Sequence, residues 1–171
     1  QMISPEKDVD CMNPATLAGI FEPSEGFKTP CTPQAVIEML RYYDIEMTGK
    51  KVAVLGRSSV IGKPVALLLL NENATVTICH SKTADLRETV READIVISAM
   101  GRAKMIDGSY IREGATLIDV GINTDEDGKL CGDADVESAE KVAGAISPVP
   151  GGVGSVTTTI LAKNLLSGIS E

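Results

Sequence analysis

The sequence predicts an α/β protein of the Rossmann type, with a doubly wound parallel sheet covered by helices. From residue 51 onward, short apolar runs alternate with helical patterns. The first four apolar runs are rich in β-branched residues and nearly continuous, as expected of parallel strands that are buried on both faces. Strand–helix–strand repeats of this length imply right-handed crossovers, which build a parallel sheet.

The elements follow one another in a regular order. Thr32 is expected to cap the first long helix, with Pro33 at the first helical position, where its missing N–H costs nothing. The last helix follows a glycine-rich turn. The predicted strands span residues 51–55, 74–79, 94–99, 116–120 and, less clearly, 144–146, and the predicted helices span 32–43, 62–71, 83–91, 136–142 and 155–167.

Residues 1–31 show little periodicity, so we interpret them as an extended lead-in whose packing partner is missing from this chain. The start Gln1-Met2 is not a natural initiation and indicates a piece of a longer chain. We therefore expect a lead-in remnant of another domain at 1–31, a dinucleotide-binding domain at 32–154 and a C-terminal helix at 155–171.

Composition argues against several functions. The chain carries 16 Lys and Arg against 24 Asp and Glu, a net charge of −8 that disfavours nucleic acid and anionic membranes as partners. No apolar run approaches the roughly 20 residues of a membrane span. One histidine and four scattered cysteines argue against a structural zinc site. Such cysteines fit reduced thiols in a cytosol.

A candidate phosphate-binding turn follows the first predicted strand. It contains Gly56, Arg57 and Ser58 and opens the next helix at Ile61 and Gly62. In a dinucleotide fold, this turn aims the N–H groups of the helix terminus at a phosphate. The spacing departs from G-x-G-x-x-G, and the alternative is a glycine turn that any α/β protein could contain.

The end of the second strand favours NADP over NAD. NAD-binding folds usually carry an acidic residue there for the ribose hydroxyls, whereas this sequence has His80, Ser81 and Lys82. Arg57, Ser58, Ser81 and Lys82 could bind a 2′-phosphate, which an acid would repel. Alternatively, Ser81 and Lys82 are ordinary loop residues.

Three further residues invite a catalytic interpretation. With no second histidine and no orienting acid nearby, we interpret His80 as a loop or cofactor contact rather than a general base. Cys31 is expected to pack rather than to act as a nucleophile. Asp119 ends the fourth strand. It either has a functional role there or is a carboxylate that caps or forms the turn, and the sequence favours neither.

A second glycine-rich turn spans residues 148–154 and contains two prolines and three glycines. Such a turn is stiff, yet it permits close backbone approach. We expect it to shape the cleft where a nicotinamide and a substrate meet. Gly121 and Ile122 lie at the carboxyl edge of the sheet, where ligands bind in such folds, and are expected to cover the cofactor through backbone contacts.

Together these segments resemble the bifunctional methylenetetrahydrofolate dehydrogenase/methenyltetrahydrofolate cyclohydrolase family. They follow the family's order and span nearly the whole chain. The segments are Lys7–Asp10, Pro30–Pro33, Gly49-Lys50, Gly56–Ser58, Gly62–Pro64, Asn73–Thr77, Cys79–Thr83, Asp119–Asn123, Gly128–Leu130, Gly132-Asp133 and Pro148–Gly154.

The resemblance implies NADP-dependent oxidation of 5,10-methylenetetrahydrofolate to the methenyl form, followed by hydrolysis to 10-formyltetrahydrofolate. It implies that Arg57, Ser58 and Ser81 hold the 2′-phosphate and that Ile122 contacts the cofactor. Asp10 looks like the carboxylate that orients the folate pterin, and Thr157 matches another cofactor-side position. It also implies a cytoplasmic homodimer that serves purine, histidine and methionine biosynthesis. In full, the cofactor-binding residues expected are Gly56, Arg57, Ser58, Ile61, Gly62, His80, Ser81, Gly121, Ile122, Gly154 and Thr157.

The sequence departs from the family pattern in three ways. Cys11 stands where a glycine normally follows Asp-Val-Asp, and Ser155 stands where a proline usually follows Gly154. The Tyr-x-x-x-Lys motif of the cyclohydrolase step is absent from these 171 residues. We therefore expect this polypeptide by itself to bind the cofactor, to lack cyclohydrolase activity and to be a poor dehydrogenase.

Two other functions remain open at this point. An NADP domain of the shikimate- or quinate-dehydrogenase type would explain the fold and the Arg57 turn, but not residues 148–154 or Lys7–Asp10. A stand-alone NADP-binding module without catalysis would explain the cofactor turn as well.

Overall fold

The computed structural model describes residues 3–22 and 27–167, and their order confirms the predicted alternation of strands and helices. Three short 3₁₀ turns accompany the longer elements, at Pro5–Lys7, Ala18–Ile20 and Gly108–Tyr110. The elements are α1 (Pro14–Leu17), α2 (Cys31–Tyr42), β1 (Lys51–Leu55), α3 (Gly62–Asn71), β2 (Thr75–Cys79), α4 (Leu86–Arg91), β3 (Ile95–Ser98), β4 (Thr116–Asp119), β5 (Asn123–Thr124), β6 (Leu130–Cys131), α5 (Val136–Ala139), β7 (Ala145–Ile146) and α6 (Val153–Ser167).

Five parallel strands form the main sheet in the order β2-β1-β3-β4-β7, which confirms the predicted Rossmann-type fold. The chain moves from β1 to β2 on one side and returns to β3 on the other side of β1. This reversal opens a crevice at the carboxyl ends of β1 and β3, the usual ligand position in such sheets.

Alternate residues of the strands face two separate hydrophobic cores. On one face Val52 and Val54 of β1 pack with buried side chains of α2, α3 and α6. On the other face Ala53 and Leu55 pack with Val90 of α4 and other buried groups. The period of two along each strand therefore divides the apolar side chains between two layers of helices.

Strand β2 does not meet the expectation of burial on both faces. Thr75, Thr77 and Ile78 are exposed, whereas β1 after its first residue, β3 and β4 are buried. In the described part of the chain, β2 pairs with β1 alone and lies at the edge of the sheet. The β-branched composition predicted the strand correctly, but it could not predict its place in the sheet.

Helix α2 begins differently from the prediction. Pro30 rather than Thr32 occupies the N-cap position, and no side chain of the cap residue accepts a hydrogen bond. The N–H of Cys31 instead donates to Oδ1 of Asp10, at 3.0 Å. A carboxylate twenty-one positions earlier thus satisfies the helix terminus, where negative charge is also favourable.

The other helix bounds also shift. Helix α4 starts at Leu86 because Asp85 adopts a left-handed conformation with φ of +45°. Helix α5 ends at Ala139, three residues before the predicted end. Helix α6 starts at Val153, so Gly154 lies in its first turn instead of before it. Nowhere in residues 3–22 and 27–167 does a helix combine the length and apolar character needed to cross a membrane.

The lead-in is not extended as predicted, because its described part contains several helical turns. The buried carboxylate of Asp8 organises it, accepting from the N–H groups of Met12 and Asn13 at 3.0 and 2.6 Å and from the Thr16 hydroxyl at 2.5 Å. Ile20 is buried in the core beside α2 and α3. Residues 1–2 and 23–26 of this segment lie outside the described residues.

Two strands escaped the sequence analysis. Strands β5 and β6 form an antiparallel hairpin whose turn includes Gly128, with φ of +77°. The pair Asp127-Gly128 is a hairpin signal. Each strand has only two residues, so neither shows an alternating pattern that could have been recognised.

Three of the four cysteines are packed in the interior, as expected for Cys31. Cys11, Cys31 and Cys79 are buried, and no cysteine is in a disulfide. Burial raises the pKa of the Cys31 thiol to about 12 and that of Cys11 to about 11. Because the thiolate is the nucleophile, these groups are inert near neutral pH. Cys11 also has φ of +52°, a conformation that suits the glycine that the family resemblance places there.

Candidate functional site

The turn between β1 and α3 brings three backbone segments into close contact. Gly56 has φ of +122°, and a Cβ atom there would lie 2.4 Å from the carbonyl oxygen of Ala99 at the end of β3. A Cβ on Gly62 would lie 2.3 Å from the carbonyl oxygen of Gly56. Both positions therefore require glycine, one for its conformation and both for space.

Ser58 gives this turn its local structure. Its Oγ accepts hydrogen bonds from the N–H groups of Ile61 and Gly62, at 3.0 and 3.3 Å. These are two of the helix-terminal donors that the sequence predicted to face a phosphate. A phosphate at this turn would compete with the Ser58 hydroxyl for them, which leaves the side chain of Arg57 as the charged group of the turn that could bind an anion.

A cleft of about 510 Å³ lies at the carboxyl ends of β1, β2 and β3, and we call it the β1–β3 cleft. Its volume is in the range of small-molecule sites. Ala99, Met100 and Arg102 contribute the β3 side. Five of the sequence-predicted residues line the cleft together: Gly56, Arg57, Ser58, His80 and Ser81.

His80 helps to form the turn after β2. Its backbone N–H donates to the hydroxyl of Thr83 at 2.8 Å, and its Nδ1 accepts from the N–H of Lys82 at 3.1 Å. Because Nδ1 is an acceptor, the imidazole presents Nε2 as its remaining polar atom. These hydrogen bonds give His80 a role in the loop, while its predicted contact with a cofactor stays a prediction. Lys82 does not line the cleft.

A second, smaller cleft of about 170 Å³ lies at the ends of β4 and β7, and we call it the β4–β7 cleft. Gly121 and Ile122 line one side and residues 148–155, including Gly154, line the other. The Val149–Pro150 peptide bond is cis. The side chain of Ile122 is 73% exposed, so it can cover an apolar ring placed there.

Asp119 is a turn-forming carboxylate. It is 1% exposed, and its oxygens accept from the N–H groups of Gly121, Asp133 and Ala134 at 2.8, 3.0 and 2.7 Å. Burial raises the pKa of Asp119 above its ordinary value, although the three N–H donors oppose that rise. The carboxylate joins the end of β4 to the segment that follows β6.

Asp133 continues this network, and the sequence analysis missed it as a site residue. It is fully buried, and its Oδ2 accepts from the Ser98 hydroxyl and from the N–H groups of Met100 and Gly101. Its Oδ1 accepts from the N–H of Arg102 at 2.7 Å and from the side-chain amide of Asn123 at 2.9 Å. Asp133 therefore fixes the backbone of the loop that forms one wall of the β1–β3 cleft.

Four predicted residues, Asp10, Ile61, Gly62 and Thr157, line neither of these clefts. Asp10 is half-buried beside the start of α2, with its Oδ1 on the N–H of Cys31. Thr157 lies on α6, where its hydroxyl donates to the carbonyl oxygen of Val153. The hydroxyl oxygen of Thr157 is also 3.4 Å from the hydroxyl oxygen of Thr32. Ile61 is the residue before α3 and contributes its N–H to the turn described above.

Two clefts along the carboxyl edge of a doubly wound sheet, with a glycine turn after β1, define a dinucleotide-binding domain. A family model described as "Tetrahydrofolate dehydrogenase/cyclohydrolase, NAD(P)-binding domain" matches residues 30–171. The chain belongs to this family.

Relatives of known identity agree with this assignment. The bifunctional protein FolD of Clostridioides difficile is 55% identical over 165 residues, which are 96% of this chain and 58% of the relative. The chain thus spans a little over half the length of the curated relatives it matches.

Solved structures give the same result. The bifunctional FolD of Campylobacter jejuni superposes with a TM-score of 0.93 at 40% identity and covers 97% of this chain and 59% of its own. The Trypanosoma brucei enzyme, solved with NADP cofactor and an inhibitor, superposes with a TM-score of 0.91 at 44% identity. It covers 98% of this chain and 60% of its own.

The Asp133 network yields a stability prediction. Asp133→Asn replaces one carboxylate oxygen by an NH₂ group that faces N–H donors and cannot accept from them. We expect the free energy of unfolding to fall by about 1.5–3 kcal/mol, the cost of losing a hydrogen bond to a buried charged group. Urea unfolding followed by circular dichroism measures this change.

The matched control is Glu140→Gln, which removes the same charge from an exposed position. Its unfolding free energy should stay within about 0.5 kcal/mol of the parent chain. An Asp133→Asn variant as stable as this control would show that the buried carboxylate does not hold the loop.

Proposed function

We propose that this chain is the NADP-binding portion of a bifunctional enzyme of one-carbon metabolism. The enzyme would oxidise 5,10-methylenetetrahydrofolate to the methenyl form and hydrolyse that product to 10-formyltetrahydrofolate. The observation that carries the cofactor assignment is the lining of the β1–β3 cleft, where Arg57 stands beside Ser58, His80 and Ser81. The names of the relatives support the two activities.

NADP fits the residues that are present. Gly56 lines the crevice and carries no side chain, so a nucleotide could reach the backbone there. Among the described residues lining this cleft there is no carboxylate, and an acid at the end of β2 is the group that normally selects NAD. Arg57 can pair bidentately with the 2′-phosphate that distinguishes NADP.

The β4–β7 cleft is the proposed position of the nicotinamide end. When bound, NADP would accept a hydride from the methylene carbon of the folate. The contribution of this chain would be to orient the reactants and exclude water. Backbone groups of Gly121 and Gly154 and the exposed side chain of Ile122 would cover the ring, within the segment stiffened by Pro148 and Pro150.

Asp10 is the proposed folate-orienting residue. Its Oδ1 holds the N-terminus of α2, so its position relative to that helix is fixed. A carboxylate held in this way can accept hydrogen bonds from the amino group and ring N–H of a pterin through its other oxygen. The amide of Asn164 on α6 donates to the carbonyl oxygen of Val9 at 2.9 Å and supports the same segment.

The proposal includes organisation beyond the cofactor site. Residues 1–31 and 155–171 would form part of a catalytic domain on either side of the dinucleotide-binding domain at 32–154, and the contact between Asn164 and Val9 supports their grouping. Thr157 would reach the cofactor from that side.

A homodimer is proposed because edge strand β2 exposes Ile78 and is available for pairing. The free thiols support a cytoplasmic location, and the product would serve purine, histidine and methionine biosynthesis.

Cofactor selectivity gives the first test. Arg57→Ala should weaken NADP binding by about 1.5–3 kcal/mol, the contribution of a charge-assisted hydrogen bond, which is roughly 10- to 150-fold in Kd. The affinity for NAD should hardly change because NAD has no 2′-phosphate. Isothermal titration calorimetry on the 171-residue chain measures both.

Arg91→Ala is the control because Arg91 is an exposed arginine that does not line the cleft. It should bind NADP like the parent chain. If both variants lost the same NADP affinity, the loss would come from the change in net charge. That result would contradict the assignment of Arg57 to the 2′-phosphate.

Catalysis gives the second test. The purified 171-residue chain, supplied with 5,10-methylenetetrahydrofolate and NADP, should form NADPH at a small fraction of the rate of a full-length relative. The reason is that hydride transfer needs a precisely positioned folate, and Asp10 by itself would position it poorly. Absorbance of NADPH measures the reaction. A rate equal to that of the full-length relative would refute the claim that this chain by itself is a poor dehydrogenase.

A further inference from the structure

We propose that Arg102 is a second specificity-determining residue for the 2′-phosphate of NADP, facing Arg57 across the β1–β3 cleft. This inference rests on the proposed NADP-binding function and extends it to a residue that the sequence analysis did not identify. Arg57 follows β1 and Arg102 follows β3, and both line the same cleft. The two arginines therefore approach the ligand position from different strands.

The electrostatic setting favours an anion between them. The whole chain has a net charge of −8, yet the described residues that line this cleft include two arginines and no Asp or Glu. Within the described residues, Arg41 and Arg112 each pair with a carboxylate, whereas neither Arg57 nor Arg102 does. Their charge is thus available to a ligand.

The position of Arg102 is fixed by a buried group. Its backbone N–H donates to Oδ1 of Asp133 at 2.7 Å, and the N–H groups of Met100 and Gly101 donate to Oδ2 of the same carboxylate. Three consecutive N–H groups on one buried carboxylate hold the Cα of Arg102 at the cleft wall. Among residues 3–22 and 27–167, the hydrogen-bond partner of the guanidinium is a weak acceptor, the sulfur of Met105 at 3.8 Å, and Met105 also lines the cleft.

The ligand group follows from the other residues of the cleft. His80, Ser81 and Thr83 come from the end of β2, where the ribose 2′-position lies in dinucleotide-binding folds. A monoester phosphate carries about −1.5 to −2 charges near neutral pH, which two guanidinium groups can match. Each guanidinium offers several N–H donors in a planar fork, so both can bind the phosphate simultaneously.

The test compares NADP and NAD binding by calorimetry in the parent chain and in Arg102→Ala, Arg102→Lys, Arg57→Ala and the double alanine variant. We expect Arg102→Ala to raise the Kd for NADP about tenfold, with the Kd for NAD within about twofold of the parent value. Arg102→Lys should recover part of the loss, since it keeps the charge but not the fork. Thermal unfolding verifies that each variant is folded.

The outcomes separate this inference from the function on which it rests. If Arg57→Ala weakens NADP binding and Arg102→Ala does not, the Arg102 role is refuted and the NADP-binding function remains. If Arg102→Ala weakens the binding of NADP and of NAD equally, Arg102 contacts a group that both cofactors share rather than the 2′-phosphate, and the inference is also refuted. If the folded parent chain binds neither cofactor, the proposed function and this inference fail together.

Discussion

The carboxylates of Asp119 and Asp133 hold together the edge of the sheet on which both clefts depend. The N–H of Asp133 donates to Asp119, and between them the two side chains accept from loops after β3, β4 and β6. Burying a charge is costly unless hydrogen bonds replace water. Here backbone N–H groups supply most of that replacement, so the two acids are tolerated and the loops around them become fixed.

This network explains how a strongly acidic chain can maintain a cleft suited to an anionic cofactor. Asp119 and Asp133 are buried and accept hydrogen bonds from backbone donors, while Arg57 and Arg102 line the cleft. In the proposed NADP site, local charge rather than the net charge of the chain would therefore govern ligand binding. Low ionic strength should strengthen the attraction, because dissolved salt screens exposed charges that lie more than about one Debye length apart and the Debye length grows as salt is removed.

Much of the fold could be predicted from local pattern. The bounds of β1 and α3 match the sequence analysis residue for residue, because a β-branched run followed by a glycine turn and a leucine-rich segment has one natural interpretation. The exposure of β2 could not be predicted, since it depends on which strands become neighbours. The N-terminus of α2 was wrong for a related reason: its acceptor, Asp10, is distant in sequence.

Some residues of the candidate site could likewise be predicted from the sequence, and others could not. Turn residues such as Arg57 and His80 could be found because a phosphate-binding turn and the end of the next strand stand at defined sequence positions. Asp133 and Arg102 could not, because their roles come from hydrogen bonds between segments about thirty residues apart. The available signal for Asp133 was the pair Gly132-Asp133, which was recognised only as part of a family motif and without a role.

The most direct test of the account is an NMR titration of the ¹⁵N-labelled 171-residue chain with NADP. If the cofactor spans both clefts, the amide signals that shift will come from residues 56–62, 80–83, 99–102, 121–122 and 151–155. Signals of the β5–β6 turn and of α4 beyond Leu86 should stay in place. Shifts confined to other surfaces, or none at saturating NADP, would contradict the assignment of this edge as the cofactor site.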